Sequence, residues 1–501
     1  MPPSNSIPDR YDAIVIGTGA GGGMAGYKLA SMGKRILFVE RGRLFDDTRA
    51  FQDEQAMQIE KRASDDRQFD FGGLRERPFI GGIAGGSTSL YGACLMRPGP
   101  SDFTPGRYYG RYLDRSLWDW PISPGEMAPF YTEAENIFRV AGESGQVTPH
   151  LMQRTTDYPA EPLPLHPTNI ALKETFEKAG LRPFTLPLGI DPSICDRCPT
   201  CPGYICPTGA RASSLNRCIV PAVDKHNAVL LTETEITAVK SRRRRIVGLE
   251  LKNPAGNYRV AADLFILSGG AIGSPAFLMQ HGMTGGNDII GRNYMFHLGV
   301  IFTALCAHRT GAGREFIKQL GITDMYLSDG AAPHKLGYIQ QLPIPGVLTM
   351  QEQLPIPLPG RFLDLALTRN ITFAGAIEDL PQPSNRVALR SGGITITHRY
   401  HPYDVHRAQL MKKGFLPAMR RIPSSLAFAM IAKNEKLHVA HQVGTCRFGN
   451  DPATSALDKN CRLHHLDNFF VLDGSFMPTS LGVAPALTIM ANALRVVGNI
   501  I

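Results

Sequence analysis

The chain has 501 residues, of which 43% are hydrophobic and 19% charged. That is room for roughly three domains, or two large interleaved ones, with a sizeable core, and it excludes a disordered, collagenous or coiled-coil protein. The surplus of 53 basic over 44 acidic side chains gives a net charge of +9. It is spread along the chain, and its one dense run, Arg242 to Arg245, falls where a hairpin tip is expected, so a solvated turn is favoured over a nucleic-acid patch.

In chain order, the apolar run 13–16 reads as a buried parallel strand and passes directly into glycines. Gly17, Gly19 and Gly22 hold the GxGxxG positions, and a helical pattern follows through Met24, Leu29 and Met32. A second strand over 35–39 ends in Glu40, whose carboxylate can accept from the hydroxyls of an adenosine ribose. Strand, glycines, helix, strand and acid in this order predict an adenine dinucleotide with its pyrophosphate at the helix N-terminus.

The stretch 81–97, GGIAGGSTSLYGACLMR, is dense in small residues that let backbone approach a large flat ligand. Cys195, Cys198, Cys201 and Cys206 follow as CxxCxxCxxxxC. The spacings of the first three cysteines suit zinc or an iron–sulfur cluster, the last gap is one residue longer than the bacterial ferredoxin run, and a disulfide-stapled loop or four plain thiols remain open. Residues 264–267 read as a strand running into SGGAIGSP and an apolar helix over 276–279. The segment 342–359 is Pro-rich, and strands are expected near 370–375 and 386–396. Between them, Glu378 and Asp379 are read as a solvated loop or, alternatively, part of a substrate roof. Residues 469–472 form a further predicted strand leading into DGS, with a terminal helix from Leu487.

The longest candidate membrane stretch, 264–279, is broken by glycines, Ser268 and Pro275. The first dozen residues carry Pro2, Pro3 and Pro8 without an apolar block, so no secretory signal is expected and a cytoplasmic location is.

Five motifs in order, GTGAGG with Glu40, GGSTSLYGA, GGAIGSPAFLMQHG, HQVGTCRFG and VLDGSFMPTS…PALTIMANALR, resemble those of the glucose–methanol–choline oxidoreductases over nearly the whole length. The WPIS segment at 120–123 is similar to that of bacterial members. The resemblance implies an α/β fold, α+β overall. A discontinuous Rossmann-like FAD domain would comprise 1–97, 213–293 and 438–501. The inserted substrate domain, 98–212 and 294–437, would be built on an antiparallel sheet plus helices. It places Gly85, Gly86, Ser87, Tyr91, Gly92 and Ala93 at the pyrophosphate and flavin, and the Ile236 backbone at the adenine. Gly270, Asp473, Gly474, Ala484 and Ala486 would complete the cofactor contacts. Leu90 stands where some relatives carry a covalently attached histidine, which implies non-covalent FAD.

The activity so implied is oxidation of a CH–OH group of a small hydroxylated molecule by hydride transfer to flavin N5, with His441 as general base. Oxygen, a quinone or a redox protein would then take the electrons. One position departs from the pattern: Ala484 stands where relatives place a second His or Asn that bonds the substrate oxygen. Either another side chain such as Gln442 or Ser480 supplies that bond, or the scaffold performs redox-neutral chemistry as a lyase or decarboxylase. A substituted residue at that position is a third reading, and a flavin-binding protein without catalysis a further class. Cys446 reads as packing, and His297 is not expected to act directly.

Overall fold

The computed structural model describes residues 8–328, 334–354, 356–390, 393–433 and 440–500. The outermost residues of the chain, 1–7 and 501, and the expected domain start at 438–439 lie outside these.

The first sheet forms around Arg10–Ile16, whose residues 13–16 are all buried as the uninterrupted apolar run requires. It pairs in parallel with Ile36–Val39 on one side and with the second half of Gly256–Leu267 on the other. Val229–Leu231 extends it beyond Ile36–Val39, and Phe469–Val471 lies parallel to Gly256–Leu267. The strand Gly256–Leu267 is long enough for a second role. Its first half folds antiparallel onto Arg245–Asn253, which pairs with Glu235–Arg242. The basic run sits at the tip of that hairpin, as expected, with Arg243 at positive φ in the turn.

The helix Ala20–Ser31 follows the first strand at once. Two of its flanking glycines are required by space. Gly17 has φ +93°, and a Cβ there would lie 2.5 Å from the Ser268 carbonyl oxygen. A Cβ on Gly22 would lie 2.1 Å from the Gly17 oxygen, so only glycine lets the helix pack onto the strand. Helix Ala486–Ile500 packs on Ala20–Ser31 and on Pro124–Ile137. The last of these belongs to the segment assigned from sequence to the substrate domain, yet its Met127, Tyr131 and Ala134 join the core of the first sheet.

A second, antiparallel sheet has the order Ser425–Ala432, Leu298–Cys306, Asn370–Ile377, Tyr338–Leu342, Leu320–Ile322, Phe184–Thr185. One face is covered by Pro402–Met419, whose Met411 and Phe415 pack against Phe302 and Phe373. That helix starts at Pro402 behind a capping box: His401 Nδ1 accepts from the Tyr403 amide and Asp404 accepts from the His401 amide. The expected strand over 386–396 forms instead as Arg386–Arg390 and Gly393–Thr397 in a separate small sheet with Phe69–Phe71 and Leu74–Glu76. The Pro-rich segment holds a short helix, Val347–Gln353. Among the described residues no helix is long and apolar enough to cross a membrane.

Candidate active site

The dinucleotide cradle is built where three segments meet around the buried Thr18. The Thr18 hydroxyl accepts from the Gly85 amide at 2.9 Å, and its carbonyl accepts from the Ser214 hydroxyl at 2.6 Å. Thr18 also donates its amide and hydroxyl to Glu40 Oε2, while Glu40 Oε1 accepts from the Gly42 amide. Three bonds leave this carboxylate with acceptor capacity to spare, as a ribose contact requires. The helix Ala20–Ser31 begins at Gly19 with no side-chain cap and no acidic residue in its first turn. Its amides are therefore available to an anion. A Cβ at Gly19 or Gly270 would meet nothing within 4 Å. These features fit a pyrophosphate-bearing cofactor.

Gly85 and Gly86 have positive φ, as does Ala93. The Ser87 hydroxyl accepts from the Gly81 amide, and the Tyr91 hydroxyl turns away to donate to the Ala212 carbonyl at 2.9 Å. Ile236 follows the turn in which Thr234 donates its amide to the Glu40 carbonyl. Asp473 Oδ2 accepts from the Gly270 amide and from Ser274, and its Oδ1 from Ser475. Gly474 lies against the Gln442 carbonyl, which joins the cradle to the histidine loop. Ala484 is buried just ahead of the terminal helix, which starts at Ala486.

His441 is held in a loop clamped from two sides. Val443 and Met295 exchange backbone hydrogen bonds, and the Gly444 and Cys446 amides donate to the Gly474 and Ser475 carbonyls. This brings the segment before Leu298–Cys306 against His441, and His297 Nδ1 lies 2.7 Å from His441 Nδ1. His297 Nε2 lies 2.9 Å from the Leu481 carbonyl oxygen. His441 and Leu481 are both non-glycine residues at φ +64°, strained backbone gathered at one site. His297, not expected to act directly, is the residue placed against His441. Ser480, one of the residues considered to replace the missing donor, is engaged elsewhere, since its hydroxyl bonds both the amide and the carbonyl of Asp379.

Burial pushes His441 well below its ordinary pKa, aided by the neighbouring His297 and the Lys318 ammonium. His297 is lowered too, chiefly by burial. Lys318, itself lowered by burial, donates to the Gly92 carbonyl at 2.7 Å.

The reading of Glu378 and Asp379 as a solvated loop or a substrate roof is also corrected. Both are fully buried. Glu378 Oε1 accepts from the Leu481 amide at 3.0 Å, while Oε2 accepts from Lys335 at 2.6 Å and Tyr109 at 2.8 Å. Lys335 also pairs with Asp102, which accepts from the Gly482 amide at 2.8 Å. Asp379 accepts from the Phe296 amide and lies 2.7 Å from His398 Nε2. The two acids therefore brace the segments that present His297 and its acceptor, Leu481. Burial alone would raise the Glu378 carboxyl, but the charges of Lys335 and Arg407 outweigh it and hold the group below its usual range. Asp379 goes the other way, raised well above that range by burial.

Of the three readings left open for the cysteine cluster, the structure describes four plain thiols. Cys195, Cys198, Cys201 and Cys206 form no disulfide. Among the described residues no three His, Cys, Asp or Glu side chains are gathered to hold a metal ion. Cys195 and Cys206 sulfurs each accept a backbone amide, from Arg197 and Arg211, and the Arg211 guanidinium flanks Cys201.

Two family profiles described as GMC oxidoreductase match the chain, over residues 11–299 and 382–493. The chain is 27% identical to 6'''-hydroxyparomomycin C oxidase of Streptomyces lividus, covering 97% of this chain and 90% of that one. It is 28% identical to paromamine 6'-oxidase of Streptomyces fradiae at the same coverage. The solved structure of pyridoxine 4-oxidase from Mesorbium loti superposes with a TM-score of 0.68 at 20% identity, over 98% of this chain and 99% of that one. The chain thus belongs to the GMC oxidoreductases and is a FAD-dependent enzyme that oxidises hydroxyl groups.

Proposed function

We propose that the enzyme oxidises an alcohol carbon with His441 as the base that takes the hydroxyl proton, and that His297 sets which nitrogen of His441 does so. The observation that carries this reading is the pair of contacts on His297. The Leu481 carbonyl can only accept, so His297 Nε2 bears a proton. His297, neutral because its pKa is lowered, then has a bare Nδ1. That atom accepts from His441 Nδ1–H, and the tautomer so fixed leaves the lone pair of His441 on Nε2. A base must be unprotonated before it acts, and the depressed pKa of His441 keeps it so at neutral pH.

In this reading Gly17, Gly19, Gly22 and Glu40 hold the adenosine and pyrophosphate half of FAD, and Gly85 to Ala93 with Asp473 and Gly474 hold the flavin half. Bound FAD supplies the acceptor for the two electrons and the hydrogen that leave the substrate carbon. His441 holds the proton at Nε2, and Lys318, whose charge burial disfavours, is tied to the Gly92 carbonyl. Both ring nitrogens of His297 are engaged, so it supports the base and does not replace the substrate-oxygen donor absent at Ala484. The redox-neutral use of the scaffold suggested by Ala484 draws no support from this arrangement.

The test is the pH dependence of kcat/KM. For a base whose pKa is lowered, activity is full above that pKa and is lost as pH falls through it. The acid limb is therefore expected well below 6.5, the ordinary histidine value. His297→Ala strands the buried Nδ1–H of His441, worth about 1–3 kcal/mol or roughly 5- to 150-fold in rate, and shifts the limb. His297→Asn, whose amide oxygen can still accept, recovers part of both. A limb at or above 6.5 in the unmodified enzyme, unmoved in His297→Ala, contradicts the assignment.

A further inference from the structure

We infer that the substrate is an alcohol with an extended apolar body, bound along the open face of the second sheet with its hydroxyl at the histidine pair. This rests on the proposed oxidation at His441. Successive residues of a strand point to opposite faces. Leu298, Val300, Phe302 and Ala304 are fully buried against the core that Pro402–Met419 covers. The alternate positions Gly299, Ile301, Thr303 and Leu305 therefore share the other face, and His297 stands directly ahead of them.

The pairing register carries this face across to the edge strand. Gly299, Ile301, Thr303 and Leu305 lie opposite Ala432, Met430, Phe428 and Leu426. On the other side Gly299 and Ile301 lie opposite Ala376 and Ala374, and these lie opposite Tyr338 and Gln340. The row nearest His297 is enclosed: Tyr338 and Ala376 pack with Ala93 and Leu95 of the cofactor-binding side. Gln340 Oε1, one row further out, is a buried acceptor with no hydrogen-bond partner. Beyond it the surface turns apolar and open. Met430, Phe428 and Leu426 are 56%, 50% and 70% exposed, and Leu305 beside them is 40% exposed.

The six residue-to-residue steps of strand from Gly299 to Leu305 make a wall of about 20 Å. One end holds a proton acceptor and a partnerless polar atom, and the other presents large hydrophobic side chains to solvent. An exposed apolar surface of this kind, on the same sheet face as a reaction site, marks a ligand-binding face. The ligand that matches it is amphipathic, with its hydroxyl inward and its hydrocarbon outward.

The experiment compares 1-butanol with 1-decanol as substrates of the FAD-loaded enzyme. It also compares their methyl ethers, which have no hydroxyl to oxidise, as ligands by titration calorimetry. A fully buried methylene is worth about fourfold, so laying the chain on an open wall is expected to give about twofold per methylene. The ratio of kcat/KM for decanol over butanol is expected to exceed about thirtyfold, and the decyl ether to bind more tightly than the butyl ether by a similar factor. Phe428→Ser and Met430→Ser are expected to collapse both ratios at least fivefold, whereas Ile170→Ser, an exposed apolar residue on the distant helix Pro167–Lys178, leaves them unchanged. Equal use of both alcohols with equal binding of both ethers overturns the inference while leaving the oxidation at His441 standing. Ratios that persist in Phe428→Ser and Met430→Ser also overturn it. Tight binding of the decyl ether, reduced in both variants, supports it even if the alcohols are not turned over, an outcome that would defeat the oxidation reading alone.

Discussion

Replacing His441 by alanine is expected to lower kcat/KM about a hundred- to ten-thousand-fold while FAD stays bound. The two halves of this expectation come from different parts of the molecule. The cradle is formed by the segments meeting at Thr18 and by Asp473, which hold one another through contacts that do not involve the imidazole. On the proposed mechanism the proton, by contrast, has one acceptor oriented for it, because the His297–Leu481 contacts would leave His441 Nε2 as the basic atom. Steady-state kinetics beside the flavin absorbance of the purified variant checks both. A loss under tenfold would place the base elsewhere.

Lys335→Met is expected to destabilise the fold by about 3–5 kcal/mol, because it leaves two buried carboxylates without their counter-ion. Lys335, Asp102 and Glu378 are all fully buried, and Lys335 is raised above its usual pKa because the two acids outweigh its burial. The damage would reach the active site, since Glu378 and Asp102 hold the amides of Leu481 and Gly482. Adding Glu378→Gln to Lys335→Met removes one stranded charge and is expected to recover part of the loss, a coupling that a double-mutant cycle reads directly. Thermal unfolding of the four proteins measures it, and a Lys335→Met protein as stable as the parent would show that the buried cluster is not held by its charges.

What was legible in the sequence was local. The run 13–16, the glycines after it and Glu40 lie within one strand–helix–strand unit, so spacing alone reported their geometry. His441 was legible through the loop motif that surrounds it. His297 was not, because its meaning comes from a contact 144 residues away. The available signal was the alternation of 298–306, which marks a strand and puts the histidine at its head. Glu378 and Asp379 were misread for a related reason. Charged residues at the end of ITFAGAI look like the start of a solvated turn, and only the folded chain brings Lys335, Arg407 and Tyr109 around them. For the four cysteines the sequence left three readings open. Ligand-like spacing says nothing about where the sulfurs point, and here two are satisfied by backbone amides within their own loop.

The central claim is that His441 takes the alcohol proton beside a bound FAD. The measurement that tests it most directly is the absorbance of the flavin after anaerobic mixing with primary and secondary alcohols, in the parent enzyme and in His441→Ala. The account predicts bleaching in the parent and a flavin that stays yellow in the variant yet bleaches with dithionite. Bleaching at an undiminished rate in His441→Ala, or a parent flavin that dithionite reduces and no alcohol does, would contradict it.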